Sequence, residues 1–226
     1  MVKRVENQST RPLAKRSFKD MVFSSSLYTG SLNNRTPKRL LHTPVDIIPG
    51  DGAKADVFFK GSFLLEGVHN KLSQKEPWLA SNMPRYWHQE LHRFEWLRDF
   101  SANNSDAARR HVRALLSNWI LTFEDYEQLI WDPNILARRA LNWMKQTPFL
   151  LTSNDGDFNY KFLRSLRKQL QHLQRYCRYF AREKDQFELY LALYLGAVCF
   201  ADTQDQAPRL KQKLLDELDK VILADG

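Results

Sequence analysis

The chemistry-bearing side chains of this 226-residue chain are concentrated in one stretch. All six tryptophans fall between Trp78 and Trp143, interleaved with arginine and histidine. Trp87, His92, Trp96 and Arg98 form the densest polar–aromatic group, and Arg138-Arg139 follow Trp131-Asp132-Pro133. Aromatic faces alternating with basic and imidazole groups can bury a core, stack on sugar rings or hold an anionic polymer. A structural role for Arg138, paired with acids such as Asp99 or Asp132, competes with contact to an anionic glycan.

His88 and His92 stand four apart on a helical pattern, which mimics a metal-binding pair. Glu90 lies between them and not at the second position that the H-E-x-x-H arrangement requires, and no third ligand is evident. Cys177 and Cys199 sit on apolar helical stretches without a C-x-x-C partner. No metal and no cofactor is expected, and both thiols read as buried and free.

The elements that must position these groups read as helices. Pro84 suits a first turn, and Tyr86, Trp87, Leu91, Phe94, Leu97 and Phe100 recur at helical spacing through to Phe100. Ser105 is placed to cap the next helix, which carries Val112, Leu115, Leu116 and Trp119. Asp132-Pro133 opens a third. The longest runs from about Phe158 to Ala181 with an apolar seam of Leu163, Leu166, Leu170, Leu173, Cys177 and Phe180. Residues 187–200 are apolar nearly all round, so that helix should be buried. The last, about Ala207 to Leu223, turns Leu210, Leu214, Leu215, Leu218 and Ile222 inward. The one β signal is Ala55–Lys60 and Ser62–Glu66 bending at Gly61, a short extended hairpin near residues 55–66. The expected class is all-α, built from antiparallel helix pairs.

Charge narrows the functional classes. The net charge is +8, but residues 1–50 hold nine Lys/Arg against three Asp/Glu, which accounts for +6 of it. A basic arm on a nearly neutral body argues against a nucleic-acid readout surface. Residues 1–45 read as a poorly ordered arm or a short helix with loops, and 46–226 as the folded domain. No apolar run approaches the roughly 18 residues of a membrane span, and no apolar leader precedes Ser24. A cytoplasmic location is expected, with the periplasm left open.

Four segments carry a family resemblance: P-V-D-I-I-P-G-D (Pro44 to Asp51), F-x-G-x-F-x-x-x-G (Phe59 to Gly67), W-x-x-x-L-H-x-F-x-W-L-R-D (Trp87 to Asp99) and W-D-P-x-x-x-A-R-R-A-L-N-W (Trp131 to Trp143). In order and spacing they resemble the N-terminal region of the heparinase II/III superfamily, most closely the heparinase-like proteins of alphaproteobacteria. The resemblance implies an α/α toroid, here incomplete, followed in the family by a β-sandwich. It also implies β-elimination on uronate polysaccharide. That reaction needs a neutralised carboxylate, a base for the adjacent C–H and an acid for the departing oxygen.

The family places an Asn-His pair on an inner helix. Its nearest match here is Gln171-His172, with Gln171 as candidate carboxylate neutraliser and His172 as candidate catalytic group. Gln in place of Asn would set the amide elsewhere. Tyr176 shares a face with His172, and Trp96, His92, Arg98 and Arg138 are the candidate substrate contacts. The family's catalytic tyrosine and further histidine would lie beyond the Asp225-Gly226 turn signal, so the chain alone is expected to be inactive. The partners expected are an anionic polysaccharide, the β-sandwich domain, or further copies meeting through exposed helix faces. A non-catalytic module binding an anionic glycan or a protein partner is the alternative.

Overall fold

A computed structural model describes residues 17–32, 37, 39–71, 76–151, 155–180 and 186–225. The basic residues before Ser17 and the Gly226 half of the terminal turn signal lie outside them. The described chain is helical apart from one hairpin. Its helices are α1 (Phe18–Phe23), α2 (Ser26–Ser31), α3 (Gly52–Phe59), α4 (Arg85–Arg93), α5 (Leu97–Asn103), α6 (Asp106–Thr122), α7 (Pro133–Lys145), α8 (Thr147–Leu150), α9 (Gly156–Tyr179), α10 (Phe187–Cys199) and α11 (Ala207–Asp225).

Caps set the starts of the main helices. Ser105 accepts from the Ala108 amide at 3.0 Å to open α6, and Asp132 accepts from the Asn134 and Ile135 amides to open α7 with Pro133 in its first turn. Asp155 accepts from the Phe158 amide and opens α9. The seam on α9 is buried at Leu163, Leu166, Leu170 and Leu173, and partly covered at Cys177 and Phe180. α9 packs on α6, α7 and α10, and α7 also packs on α4 and α10. On α11, Leu210 and Leu214 pack against the core while Leu215, Leu218 and Ile222 remain exposed.

Two local expectations are corrected. Ala55–Phe59 is not extended: it lies in α3, which Asp51 caps through the Ala53 amide at 2.9 Å and which buries Ala55 and Phe58. The hairpin sits further along, pairing β1 (Ser62–Leu65) with β2 (Val68–Lys71) antiparallel, Ser62 opposite Lys71. Its two-residue turn, Glu66-Gly67, has φ of 49° and 73°, a geometry that favours glycine at the second position.

The helix expected from Pro84 to Phe100 breaks at Phe94, where φ is 59°. A left-handed non-glycine residue costs ~1–2 kcal/mol. Burying a phenylalanine ring returns ~1.5–3 kcal/mol, and Phe94 is wholly buried against Trp96, Trp119 and Trp143. Within the stretch read as a poorly ordered arm or a short helix with loops, the described residues before Asn33 are mostly helical. Residues 17–32 form α1 and α2, with Phe23 and Leu32 buried.

Candidate functional site

α9 has two faces. Opposite the leucine seam, Lys161, Arg164, Lys168, His172 and Arg175 follow one another at three- and four-residue spacing, a polar stripe along a helix buried on its other side. The first three border a cleft of about 380 Å³ whose floor includes Phe123 and Trp131. Lys168 is buried; its Nζ donates to the Glu124 carbonyl at 2.6 Å and lies 5.7 Å from the centre of the Trp131 ring. Desolvation lowers its pKa, against the pull of Glu124 and Asp125. Cations set over aromatic faces suit a planar or anionic ligand.

His172 continues the stripe but has no exposed surface. Four rings enclose its imidazole: Phe23 at 4.7 Å, Trp131 at 5.1 Å, Tyr28 at 5.8 Å and Tyr126 at 6.1 Å between centroids. Burial lowers its pKa to about 3, helped by Arg139 and Arg175 and opposed by a smaller effect of the Trp131 backbone. The imidazole is therefore neutral at neutral pH.

The Tyr28 hydroxyl lies 2.8 Å from Nδ1. Burial raises the Tyr28 pKa to about 12, so the phenol keeps its proton and can donate to Nδ1. Neither Nε2 of His172 nor Oε1 of the buried Gln171 makes a hydrogen bond of ordinary geometry. A neutral imidazole beside a side-chain amide is a base and a carboxylate donor in kind. In this arrangement the base is sealed from solvent.

The other sequence candidates are dispersed. Trp96 is buried among Phe58, Phe94 and Phe100, and its Nε1 donates to the Leu91 carbonyl at 3.1 Å. Its face is therefore taken by protein, and only its edge borders a separate cavity of about 630 Å³ shared with Arg98. His92 is buried too, its Nδ1 accepting from Trp119 Nε1 at 3.0 Å, and desolvation holds its pKa well below the ordinary range.

Arg98 pairs with Asp46 at 3.5 Å. Arg138 pairs with Glu95 at 3.1 Å and with Glu188, not with Asp99 or Asp132, and the Glu188 contact leads in raising its pKa. Tyr176 lies beside Phe180 and under Lys19, whose Nζ is 5.4 Å from the ring centre. Of the expected set, only Gln171, His172 and Tyr176 are brought together on α9. Among the described residues, no group of three or more His, Cys, Asp or Glu is placed to hold a metal, and no helix is long and apolar enough to cross a membrane.

Sequence reading missed four groups beside His172: Asp20, Tyr28, Tyr126 and Lys168. Lys168 carried a signal, since it precedes His172 by one helical turn. Asp20 and Tyr28 carried none, because they reach the site from over a hundred residues away. Arg139 was also underestimated. Wholly buried, it donates to the Gln169 side chain at 2.7 Å and to the carbonyls of His92 at 3.2 Å and Ile130 at 3.0 Å.

Comparison with known proteins places the fold. The chain superposes on the heparan sulfate lyase HepC of Pedobacter heparinus with a TM-score of 0.62, and on a mutant of that lyase with 0.64, at 17% identity. Each superposition covers 91% of this chain and 34% of the lyase. The described residues thus have a mostly helical, heparinase-like fold. Over 105 residues, 46% of this chain, it is 32% identical to FtsZ-localized protein C of Caulobacter vibrioides, and it spans 18% of that protein. No protein-family model matches.

Proposed function

We propose that this chain is the toroid portion of a heparinase II/III-like protein acting on uronate-containing polysaccharide, with residues 46–226 as the toroid unit. The observation that carries the reading is the stripe on α9, where Lys161, Arg164 and Lys168 border an aromatic-floored cleft and lead to Gln171 and His172. Cations and rings would seat an acidic sugar, the Gln171 amide would hold its carboxylate, and His172 would take the proton beside it. Tyr176 completes the same face. Arg98 and Arg138 belong to the ion-paired frame. The heparinase-like fold supports the reading, although fold alone does not establish chemistry.

Sealed as it is, His172 removes no proton, so elimination would need the cover to open. The expected result is binding without turnover. Heparan sulfate and alginate oligosaccharides should bind with an affinity that falls as salt rises. Lys168→Met should weaken binding about ten-fold, and no ultraviolet absorbance of unsaturated ends should develop. Binding that ignores both salt and the Lys168 substitution would sink this reading, and robust turnover by the chain alone would sink its inactivity.

A second reading has its own support: the identity to FtsZ-localized protein C favours a protein-binding module. On that reading the helical domain is a docking unit for FtsZ. Co-sedimentation with FtsZ polymers, in the absence of any acidic-glycan binding, would select it.

A further inference from the structure

The seal over His172 is thin. It consists of α1 and α2, two helices of six residues each, too short to persist without tertiary support. Phe18, Met21 and Leu27 point to solvent, while Phe23 and Leu32 are buried. The attachment is apolar at Phe23, which packs on Tyr126, His172 and Phe180, and at Leu32 in the core, and polar elsewhere. The Tyr126 hydroxyl donates to Asp20 Oδ1 at 2.7 Å and Gln128 Nε2 to Oδ2 at 3.5 Å. Tyr28 meets His172, and Arg175 donates to the Ser31 side chain at 2.6 Å and its carbonyl at 3.0 Å.

Two features of the covered region point to a ligand. Gln171 Oε1 is buried without a hydrogen bond, and His172 Nε2 has only an imperfect backbone contact with Trp131, an arrangement that is costly unless something else completes it. In addition, the Asp20 carboxylate accepts from the Tyr126 hydroxyl and, at the exposed edge, more distantly from Gln128, and Tyr126 packs on His172 itself. Burial and Asp20 both raise the Tyr126 pKa, so the phenol remains a donor. Donors that accept the carboxylate of Asp20 can accept that of an acidic sugar.

We propose that Tyr126 and Gln128 form a carboxylate-binding position beside His172, and that residues 17–32 fill it as a self-ligand which an acidic sugar must displace. The sugar as the displacing ligand rests on the function proposed above; the removable cover does not. Asp20 competes for the carboxylate position while Phe23 and Tyr28 occupy the space over the imidazole. Binding to the free pocket is therefore reduced by the fraction of molecules in which the strap is seated.

The test uses histidine carbethoxylation mapped by mass spectrometry on the full chain, with His92 as the internal control because it is equally buried but packed by Trp119 and Phe123 of the body. In the unaltered protein both His172 and His92 should resist the reagent. Phe23→Ala and the milder Asp20→Asn should each raise the His172 rate about ten-fold and leave His92 unchanged. If His172 stays as protected as His92 in both variants, or gains reactivity only together with it, the strap is part of the body and the proposal falls.

The second arm adds a hyaluronan tetrasaccharide and follows amide exchange in residues 17–32, with a dextran oligosaccharide as the neutral control. Acidic sugar should speed exchange there, and Asp20→Asn should bind it about ten-fold more tightly. Acidic sugar that binds without altering exchange in 17–32 overturns the self-ligand and leaves the glycan reading standing. A freed His172 with no sugar bound to either form upholds the removable cover and removes the glycan reading.

Discussion

Two histidines in this fold are buried to the same degree for different reasons. His92 is closed in by the body of the domain: Trp119 donates to its Nδ1, Arg139 donates to its carbonyl, and Phe123 stacks edge-on at 5.1 Å. His172 is closed in partly by residues from two short N-terminal helices, and its second nitrogen is left without an ordinary hydrogen bond. Around His92, polar groups are satisfied by neighbours on long helices, which is how a core holds a polar group. Around His172 the same burial depends on a small element that can leave. Equal exposure therefore does not mean an equal role; what matters is which element provides the cover.

The comparison is broken most strongly at its rigid end. Arg139 is a buried cation held by three hydrogen bonds and by the Trp119 ring, 4.6 Å from the guanidinium carbon. Burial lowers its pKa to about 9, which still leaves it charged at neutral pH. Arg139→Met should cost about 4 kcal/mol, since the buried acceptors left behind are each worth ~1–3 kcal/mol unsatisfied. Urea unfolding followed by tryptophan fluorescence measures this. Arg175→Met, which releases Ser31 at a half-covered surface, should leave the global midpoint nearly unchanged and loosen only residues 17–32. Equal losses in the two variants would erase the distinction between body and strap.

The rigid end was also the legible one. α6, α7 and α9 follow from caps and from apolar spacing, and α10 from an unbroken apolar run, because those signals lie within one or two turns of the residues they govern. Where signals were short, reading failed. Val57-Phe58-Phe59 looks like strand, yet the Asp51 cap and the burial of Ala55 and Phe58 one turn apart make it helix. Gln171 and His172 were found through the family pattern, but their cover was not, because the Tyr28–His172 pair spans 144 residues and leaves no local trace. The packing around Trp96 was illegible for the same reason: which elements cover a ring is settled by residues distant in sequence.

Acid should separate the two histidines next. Unfolded, His172 takes a proton near its ordinary 6.5, and covered only near 3; with the strap lifted it titrates between the two, because Arg139 and Arg175 stay with the body. Between those values the open state binds more protons, so stability of the cover falls as pH drops through 6.5 and stops falling below about 3. The slope is about 1.4 kcal/mol per pH unit, an upper limit of roughly 3 kcal/mol by pH 4. Arg139, Arg175 and Lys19 are among the causes of that low value, and of the three only Lys19 leaves with the strap. Hydrogen exchange in residues 17–32 should accelerate below pH 6 while helices α6 and α9 remain protected. His92 also titrates low, but it can gain a proton only by unfolding the body. Loss of both regions at one pH would contradict the scheme.

The smallest predicted effect is the sharpest test, because it changes one atom pair at each histidine. Trp119 and Tyr28 each serve an Nδ1, at 3.0 Å and 2.8 Å respectively. Trp119→Phe removes a donor and part of a fully buried ring, so it should lower global stability by ~2–3 kcal/mol and expose no segment selectively. Tyr28→Phe keeps the ring and removes only the hydroxyl. Its loss should be about 1 kcal/mol, and it should fall on the opening of residues 17–32 and not on the global midpoint, because water can reach Nδ1 once the strap lifts. Thermal melts paired with exchange of residues 17–32 distinguish the two. A Tyr28→Phe protein whose melting temperature drops as far as that of Trp119→Phe would mean that the N-terminal helices fold and unfold with the body, and that His172 is as structural as His92.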